Sequence, residues 1–324
     1  MIKVEKFSYD IESVSRFIDL PNNIYEIACT ATKGNPYDSR QFHRFNPKKD
    51  YVLISHHREN WYWDWDVTQV RVKQTLNFCI KKRVPLERII IVHPNKVHNI
   101  CGFTHVEFDG FEVECYHRHI VKKEIIPTTP REDADKFLSL NGKPNKPGRG
   151  SQIKHLERYG LINRGIVTLL GDDRYPSVDN INYTKNEYGE HYLGYPYDTD
   201  LYRNTKFSVV AETHVGKKFN RDTFWPTEKI YRAIINHHPF VVLSTKDFLY
   251  NLREKGYKTF YEIWDEMYDT MEDFDEREKH SLNLIPIIFN IGKDKYCDIV
   301  KHNYDTLIRN SKSSLEKLRN MFYD

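Results

Sequence analysis

Residues 206 to 243 read KFSVVAETHVGKKFNRDTFWPTEKIYRAIINHHPFVVL. The stretch begins and ends with short apolar runs, at 207–211 and 240–243, that have the length and composition of buried strands. Between these runs, the spacing of apolar residues predicts a helix over 227–236, with Thr227 in the capping position. Strand, loop, helix and strand in this order are typical of a parallel βαβ unit.

The predicted start of this helix carries an unusual pair of charges, Glu228 followed by Lys229. A carboxylate suits the positive end of the helix dipole, whereas a cation there needs an anion beside it. A bound phosphate would supply that anion, and Glu228 could accept two hydrogen bonds from a ribose. Glu212 follows the first strand of the same unit. The alternative is an ordinary capped helix whose charges are exposed to solvent.

A second candidate segment lies upstream, between a predicted strand at 136–140 and a helix at 151–159 that Ser151 would cap. This loop, NGKPNKPGRG at 141–150, is rich in turn formers and carries three cations, Lys143, Lys146 and Arg149. A glycine-rich turn that enters a helix is a generic anion site, where a guanidinium can hold a diphosphate bidentately. The loop matches neither the P-loop nor the dinucleotide fingerprint, and a solvated basic loop is the alternative.

The rest of the chain shows the same alternation of short apolar runs and helical stretches, which predicts an α/β protein. Further strands are predicted at 51–55, 89–92 and 165–170, a hairpin at 103–114, and an amphipathic terminal helix within 293–322. A proline-punctuated segment favours a domain boundary near Pro130. We therefore expect an N-terminal domain over 1–130, a C-terminal domain over 131–290, and helices over 291–324 that cross back.

Composition limits the function classes. The chain has 324 residues, 39% of them hydrophobic, and a formal net charge of +3, which argues against disorder and against sequence-blind coating of nucleic acid. Its five cysteines are widely spaced, as expected for reduced thiols. The first residues lack a signal-peptide pattern, and no apolar run is long enough to cross a bilayer. We expect a cytoplasmic protein without a membrane anchor.

The two segments occur in an order that resembles a known family. The donor-binding segment of α1,3-fucosyltransferases runs F-x-[LA]-x-F-E-N-S and then Y-[VI]-T-E-K-[LI]-[WY]-[RN]-A, and this chain has FSVVAET at 207–213 and WPTEKIYRA at 225–233. Fucosyltransferase-like sugar transferases of large phages and viruses are more similar still. Their F-L-x-L-N-x-[RK]-P-x-x-x-R pattern resembles 137–149, and the resemblance extends over 137–275.

This resemblance implies a GT-B fold, in which two Rossmann-like domains face each other across a cleft and the C-terminal one holds a nucleotide sugar. It implies that Arg149 and Lys229 contact the donor diphosphate, that Glu228 binds the ribose, and that Trp225 lies beside the donor. To the diphosphate contacts we add Lys146 of the basic loop. To the nucleoside contacts we add Thr227 and Glu212.

A base that deprotonates the acceptor hydroxyl is expected from the N-terminal domain. Glu59 is the first candidate and His56 the second, because both follow the strand at 51–55, and ligands bind at the carboxyl ends of strands in open α/β sheets. Polar strand-end groups without a catalytic role are the alternative. Just beyond them, three tryptophans could form a flat acceptor-binding surface or belong to an ordinary core: Trp61, Trp63 and Trp65.

Together these features predict an inverting glycosyltransferase that uses a nucleotide-diphosphate sugar as co-substrate and requires no metal or other cofactor. The acceptor is a hydroxymethylated base in phage DNA or, alternatively, a glycan. Asp64-Trp65-Asp66 forms a D-x-D pattern, so a metal-dependent GT-A transferase is a second enzyme class. A nucleotide-sugar-binding module without catalytic activity is the non-enzyme alternative.

Overall fold

The computed structural model describes residue 14 and residues 17–28, 45–55, 77–93, 104–123, 127–142, 148–169, 172–175, 199–212 and 224–323. The chain divides into two compact units. Unit 1 comprises Met1–Glu114 and Asn310–Asp324, and unit 2 comprises Cys115–Arg309. The predicted boundary after residue 130 therefore lies inside unit 2.

Unit 1 contains a four-stranded parallel sheet in which chain order and spatial order agree, β1-β2-β3-β4. The strands are β1 (Ile24–Ala28), β2 (Tyr51–Ser55), β3 (Ile89–His93) and β4 (Thr104–Glu107). Val52 and Ile54 of β2 and Ile89 and Ile91 of β3 pack in one buried cluster with Phe78, which lies in a helical stretch at 77–82. This burial explains why β2 and β3 are the continuous apolar runs that sequence analysis identified.

The hairpin predicted at 103–114 is wrong. β4 pairs in parallel with β3, and the chain then enters helix α1 (Gly110–Tyr116), which continues into a π-helical turn, His117–Val121. The side chain of Asp109 accepts a hydrogen bond from the main-chain N–H of Glu112, at 3.2 Å. Asp109 therefore caps a helix, and its sequence Asp-Gly does not form the tight turn that this dipeptide favours in hairpins.

Unit 2 contains a second parallel sheet, built from β5 (Phe137–Leu140), β6 (Gly165–Thr168), β7 (Phe207–Ala211) and β8 (Phe240–Leu243). Its helices are α2 (Arg149–Arg158), α3 (Thr199–Arg203), α4 (Glu228–Ile235), α5 (Phe248–Glu254), α6 (Phe274–Leu282), α7 (Ile285–Phe289) and the first part of α8 (Cys297–Tyr323). Short 3-10 turns lie at Leu86–Arg88 in unit 1 and at Ile162–Arg164, Met267–Thr270 and Lys293–Lys295 in unit 2. The predicted α/β class is confirmed.

The spatial order of the second sheet, β6-β5-β7-β8, reverses direction at its centre. Helix α2 connects β5 to β6 on one side, whereas α4 connects β7 to β8 on the other. Right-handed crossovers that run in opposite directions place their helices on opposite faces of a sheet. The carboxyl ends of β5 and β7 therefore form a topological switch point, the place where open α/β sheets bind ligands. The described strands of unit 1 show no such reversal.

The described helices bear on two further predictions, the absence of a membrane anchor and the course of the C-terminal helix. No helix within the ranges above combines the length and apolar character needed to cross a membrane. The long C-terminal helix α8 belongs to both units, since its residues through Arg309 lie in unit 2 and those from Asn310 lie in unit 1.

The packing between β5 and β6 depends on a glycine. Phe137 and Gly165 are partners in the parallel register, and the Phe137 ring lies over the glycine. A Cβ atom at position 165 would come within 2.3 Å of that ring. The ring itself is fully buried, with Phe207 and Phe289 as aromatic neighbours.

We predict that Gly165→Ala lowers the free energy of unfolding by about 1–3 kcal/mol, the usual cost of overpacking a core. Urea unfolding followed by circular dichroism measures the change. Combining Gly165→Ala with Phe137→Leu should recover part of the loss, because the smaller side chain makes room for the methyl group. An alanine variant as stable as the parent chain would contradict the packing described.

Candidate functional site

The predicted site residues that the structure describes all belong to unit 2: Arg149, Glu212, Trp225, Thr227, Glu228 and Lys229. All except Trp225 lie directly after a strand or at the start of a helix, and Trp225 precedes the N-cap of such a helix by two residues. The other predicted site residues lie outside the described part of the chain: His56, Glu59, Trp61, Trp63, Trp65 and Lys146.

The start of α2 differs from the prediction. The helix begins at Arg149, and the residue before it, Gly148, has a positive φ of 80° and offers no side-chain cap. Ser151, the predicted cap, is the third helical residue, and its hydroxyl donates to Glu278 Oε1 at 2.7 Å. The first turn of α2 also lacks an acidic residue. The N-terminus of α2 therefore keeps the positive potential of its main-chain N–H groups.

Arg149 places a guanidinium at this helix start in a buried position. The residue is 7% exposed, and its Nε has no hydrogen-bond partner among the described residues. Burial lowers the pKa of Arg149, and the negative charges of Glu228 and Glu212 act in the opposite direction. The guanidinium also lies against the loop, since a Cβ on Gly142 would be 3.0 Å from its Nη1. A buried guanidinium with unused donor capacity is suited to an incoming anion.

A cluster of polar side chains lies at the end of β5. Ser139 Oγ accepts from Asn141 Nδ2 at 2.9 Å and from Gln152 Nε2 at 2.8 Å. The main-chain N–H of Asn141 donates to Thr168 Oγ1 at 2.9 Å. These bonds connect the end of β5 to α2 and β6, and they fix the base of the loop that leads to Arg149. Sequence analysis missed the cluster, because its members are short polar residues whose contacts span up to 27 positions.

The N-cap residue of helix α4 is bound by an acid from the preceding strand end, Glu212. Thr227 is its N-cap, as predicted, and its hydroxyl oxygen accepts from the Lys229 N–H at 3.4 Å. In a capping box the third helical residue would bind the N-cap N–H, but that residue is Ile230, which is apolar and buried. Glu212 takes this role from the end of β7. Its Oε1 accepts the Thr227 N–H at 3.1 Å, and its Oε2 accepts the Thr227 hydroxyl.

The ammonium of Lys229 is held by two neighbours. Its Nζ donates to Thr227 Oγ1 at 3.1 Å and to Glu228 Oε1 at 2.5 Å. Although burial acts to raise it, the pKa of Glu228 falls to about 2 because of the positive charges of Lys229 and Arg232. Arg232 lies one turn further along α4 and is itself buried, a position that sequence analysis did not single out.

The described charged residues at the switch point interact with one another. Arg149 interacts electrostatically with Glu228 and Glu212, and Glu228 also interacts with Lys229 and Arg232. Burial raises the pKa of Glu212, and the positive charge of Lys229 acts in the opposite direction. A buried guanidinium whose Nε has no partner among the described residues favours an added anion.

Trp225, expected beside the donor, is 5% exposed, so its ring is largely enclosed by protein. Glu212 and Thr227, the other two nucleoside candidates, are 0% and 1% exposed.

Within the described ranges, no group of three or more His, Cys, Asp or Glu side chains is arranged to hold a metal ion.

Comparison with solved structures finds two glycosyltransferases of the GT-B type. The chain is similar to T4 phage BGT in complex with UDP and Mn2+, with 12% identity and a TM-score of 0.42 over 93% of this chain and 82% of that one. It is also similar to an α1,3-fucosyltransferase with GDP-fucose, with 14% identity and a TM-score of 0.27 over 91% of this chain and 76% of that one. Both proteins are of the enzyme type that the sequence motifs resemble. No family model and no curated protein matches.

The charge on Glu228 makes stability depend on pH. Its pKa is lowered from the ordinary 4.5 to about 2, so the folded state binds its proton more weakly than the unfolded state does. The stabilisation is present above pH 4.5 and is lost as the pH falls towards 2. Between pH 4.5 and 2 the free energy of unfolding should therefore fall less in Glu228→Gln than in the parent chain. We predict a difference on the order of 3 kcal/mol.

Urea unfolding at a series of pH values from 6 to 2.5 measures this effect. The matched control is Glu254→Gln, which changes an exposed acid at the end of α5 and should leave the profile unchanged. Equal acid sensitivity in the parent chain and in Glu228→Gln would show that Glu228 is not held by the cations described.

Proposed function

We propose that the chain is a glycosyltransferase of GT-B type that takes its sugar from a nucleotide-diphosphate sugar. The diphosphate binds at the switch point of the unit 2 sheet, between the N-termini of α2 and α4. The observation that carries this proposal is Arg149, a buried guanidinium at an uncapped helix start, whose Nε has no hydrogen-bond partner among the described residues. The order of the two motifs in the sequence supports it independently.

Each residue has a distinct part in holding the donor. The fork of Arg149 binds two phosphate oxygens, and the N–H groups at the start of α2 add to that attraction. Lys229 places a point charge on the diphosphate from the other helix, and Lys146 adds a further charge from the loop. Glu228 accepts from the ribose hydroxyls with the lone pairs that its bond to Lys229 leaves available.

The reaction follows from this charge distribution. The acceptor hydroxyl attacks the anomeric carbon while the bond to the diphosphate oxygen breaks, and the configuration at that carbon inverts. Negative charge develops on the departing diphosphate, where Arg149 and Lys229 stabilise it. Because these cations belong to the protein, the proposed reaction needs no metal. Glu59, or His56 in its place, takes the proton of the acceptor hydroxyl.

Titration calorimetry with UDP and with GDP tests the donor site. We predict that the chain binds one of them, and that Arg149→Lys and Lys229→Ala each weaken binding at least tenfold. Lysine keeps the charge but loses the fork of arginine, so Arg149→Lys separates geometry from charge. Arg158→Ala is the matched control, because Arg158 is exposed at the far end of the same helix. Absent binding, or binding unchanged in both site variants, would refute the proposal.

For the acceptor we propose a hydroxymethylated base in duplex DNA, which a phage-encoded enzyme would meet in the cytoplasm of its host. The sequence supports this choice through Trp61, Trp63 and Trp65, which are suited to stack on a base turned out of the helix. A glycan acceptor is the competing possibility, and the same aromatic surface would suit a sugar ring.

Transfer of a radiolabelled sugar separates the two acceptors. We predict label in a duplex that contains hydroxymethylcytosine, none in the same duplex with cytosine, and undiminished transfer in EDTA. Binding to the modified duplex should weaken steeply with salt. Label transferred to glycans alone would refute the DNA acceptor, and activity lost in EDTA but restored by manganese would favour a metal-dependent enzyme.

A further inference from the structure

Glu212 is placed where it cannot readily contact a donor molecule. The residue is 0% exposed, and its main-chain N–H continues the β-ladder by donating to Leu243 O at 3.0 Å. Both carboxylate oxygens are bonded to Thr227, one to its N–H and the other to its hydroxyl. The acid that the sequence suggests as a nucleoside ligand is therefore directed at the first residue of the helix that carries Lys229.

The hydrogen bonds of the Thr227 hydroxyl have a fixed direction. A hydroxyl has one proton to donate and two lone pairs with which to accept. The proton goes to Glu212 Oε2, while the lone pairs receive the Lys229 N–H at 3.4 Å and the Lys229 Nζ at 3.1 Å. The capacity of the hydroxyl is therefore filled. Its ability to accept from the ammonium depends on Glu212 taking the proton.

We infer that Glu212 is a positioning residue for the donor diphosphate, acting through the Thr227 hydroxyl on the Lys229 ammonium. This inference rests on the proposed function, because it concerns how the same site holds its diphosphate. Glu212 fixes the direction of the hydroxyl, the hydroxyl orients Nζ, and the oriented ammonium faces the diphosphate. The role of Glu212 thus differs from the ribose contact proposed for Glu228, although both are acids at the same site.

An amide at position 212 would disturb this chain of bonds without changing its size. The oxygen of Glu212→Gln still accepts the Thr227 N–H, but its NH2 group is a donor facing the threonine hydroxyl. Three donors would then compete for two lone pairs, and the hydroxyl proton would lose its acceptor. The bond from Lys229 Nζ is the one that gives way, since a flexible side chain moves more easily than a main-chain N–H.

Calorimetry of the full chain with UDP, GDP and inorganic pyrophosphate tests this inference. We expect Glu212→Gln and Thr227→Val each to weaken binding of whichever diphosphates the parent chain binds by about tenfold, and Thr227→Ser to restore near-parent affinity. The variant that combines both substitutions should bind as Thr227→Val alone does, because Glu212 acts on Lys229 only through the Thr227 hydroxyl. Glu266→Gln is the matched control, since Glu266 is a buried acid of unit 2 that instead accepts the Phe260 N–H, at 2.7 Å.

A structural role alone predicts a different pattern. If Glu212 only stabilised the fold, Glu212→Gln and Glu266→Gln would lower the melting temperature similarly and leave the affinities of the folded proteins unchanged, which would overturn the inference. Additive losses in the double variant would also overturn it. A parent chain that binds none of the three probes would refute the proposed function and, with it, this inference, whereas normal parent binding with unaffected variants would refute the inference alone.

Discussion

The double hydrogen bond from Thr227 to the buried carboxylate of Glu212 is the contact on which the arrangement of the site depends. The carboxyl end of β7 pairs with β8, and the Glu212 N–H continues this ladder by donating to Leu243 O at 3.0 Å. Glu212 thereby connects the first turn of α4 to the sheet. The directions of Glu228 and Lys229 are then set by a strand, although both belong to a helix start, which would otherwise be prone to fray.

The sheet order explains why these groups meet Arg149. The reversal at β5 and β7 sends α2 and α4 to opposite faces of the sheet, yet both helices start at the same edge. Two positive helix ends therefore approach one place, each with a cation in its first turn. The first turn of α2 contains no acidic residue. The acid in the first turn of α4, Glu228, interacts with two cations of its own helix, Lys229 and Arg232.

Sequence analysis succeeded where the signal is local. The strands β7 and β8 are apolar runs because all of their residues are buried, and the cap at Thr227 precedes its helix directly. It failed where a partner comes from far away. The strand β1 escaped notice because Glu26 interrupts its apolar pattern, and that acid accepts from the Ser55 hydroxyl and the Val14 N–H. The sequence predicts Ser151 as a cap, because it does not reveal that Gly148 has a positive φ and that Glu278 binds the serine hydroxyl.

The site shows how a buried charge can be evidence of function. Desolvating a guanidinium costs free energy, and a chain optimised only for stability would supply a hydrogen-bonded carboxylate or replace the arginine with an apolar residue. At Arg149 neither has occurred, since Nε lacks a partner among the described residues, and Glu228 and Glu212 are bonded to Lys229 and Thr227. The acids act against the effect of burial on the Arg149 pKa, yet the Nε–H has no partner among the described residues. The diphosphate that we propose as ligand brings both the negative charge and the hydrogen-bond acceptors that such a guanidinium can bind.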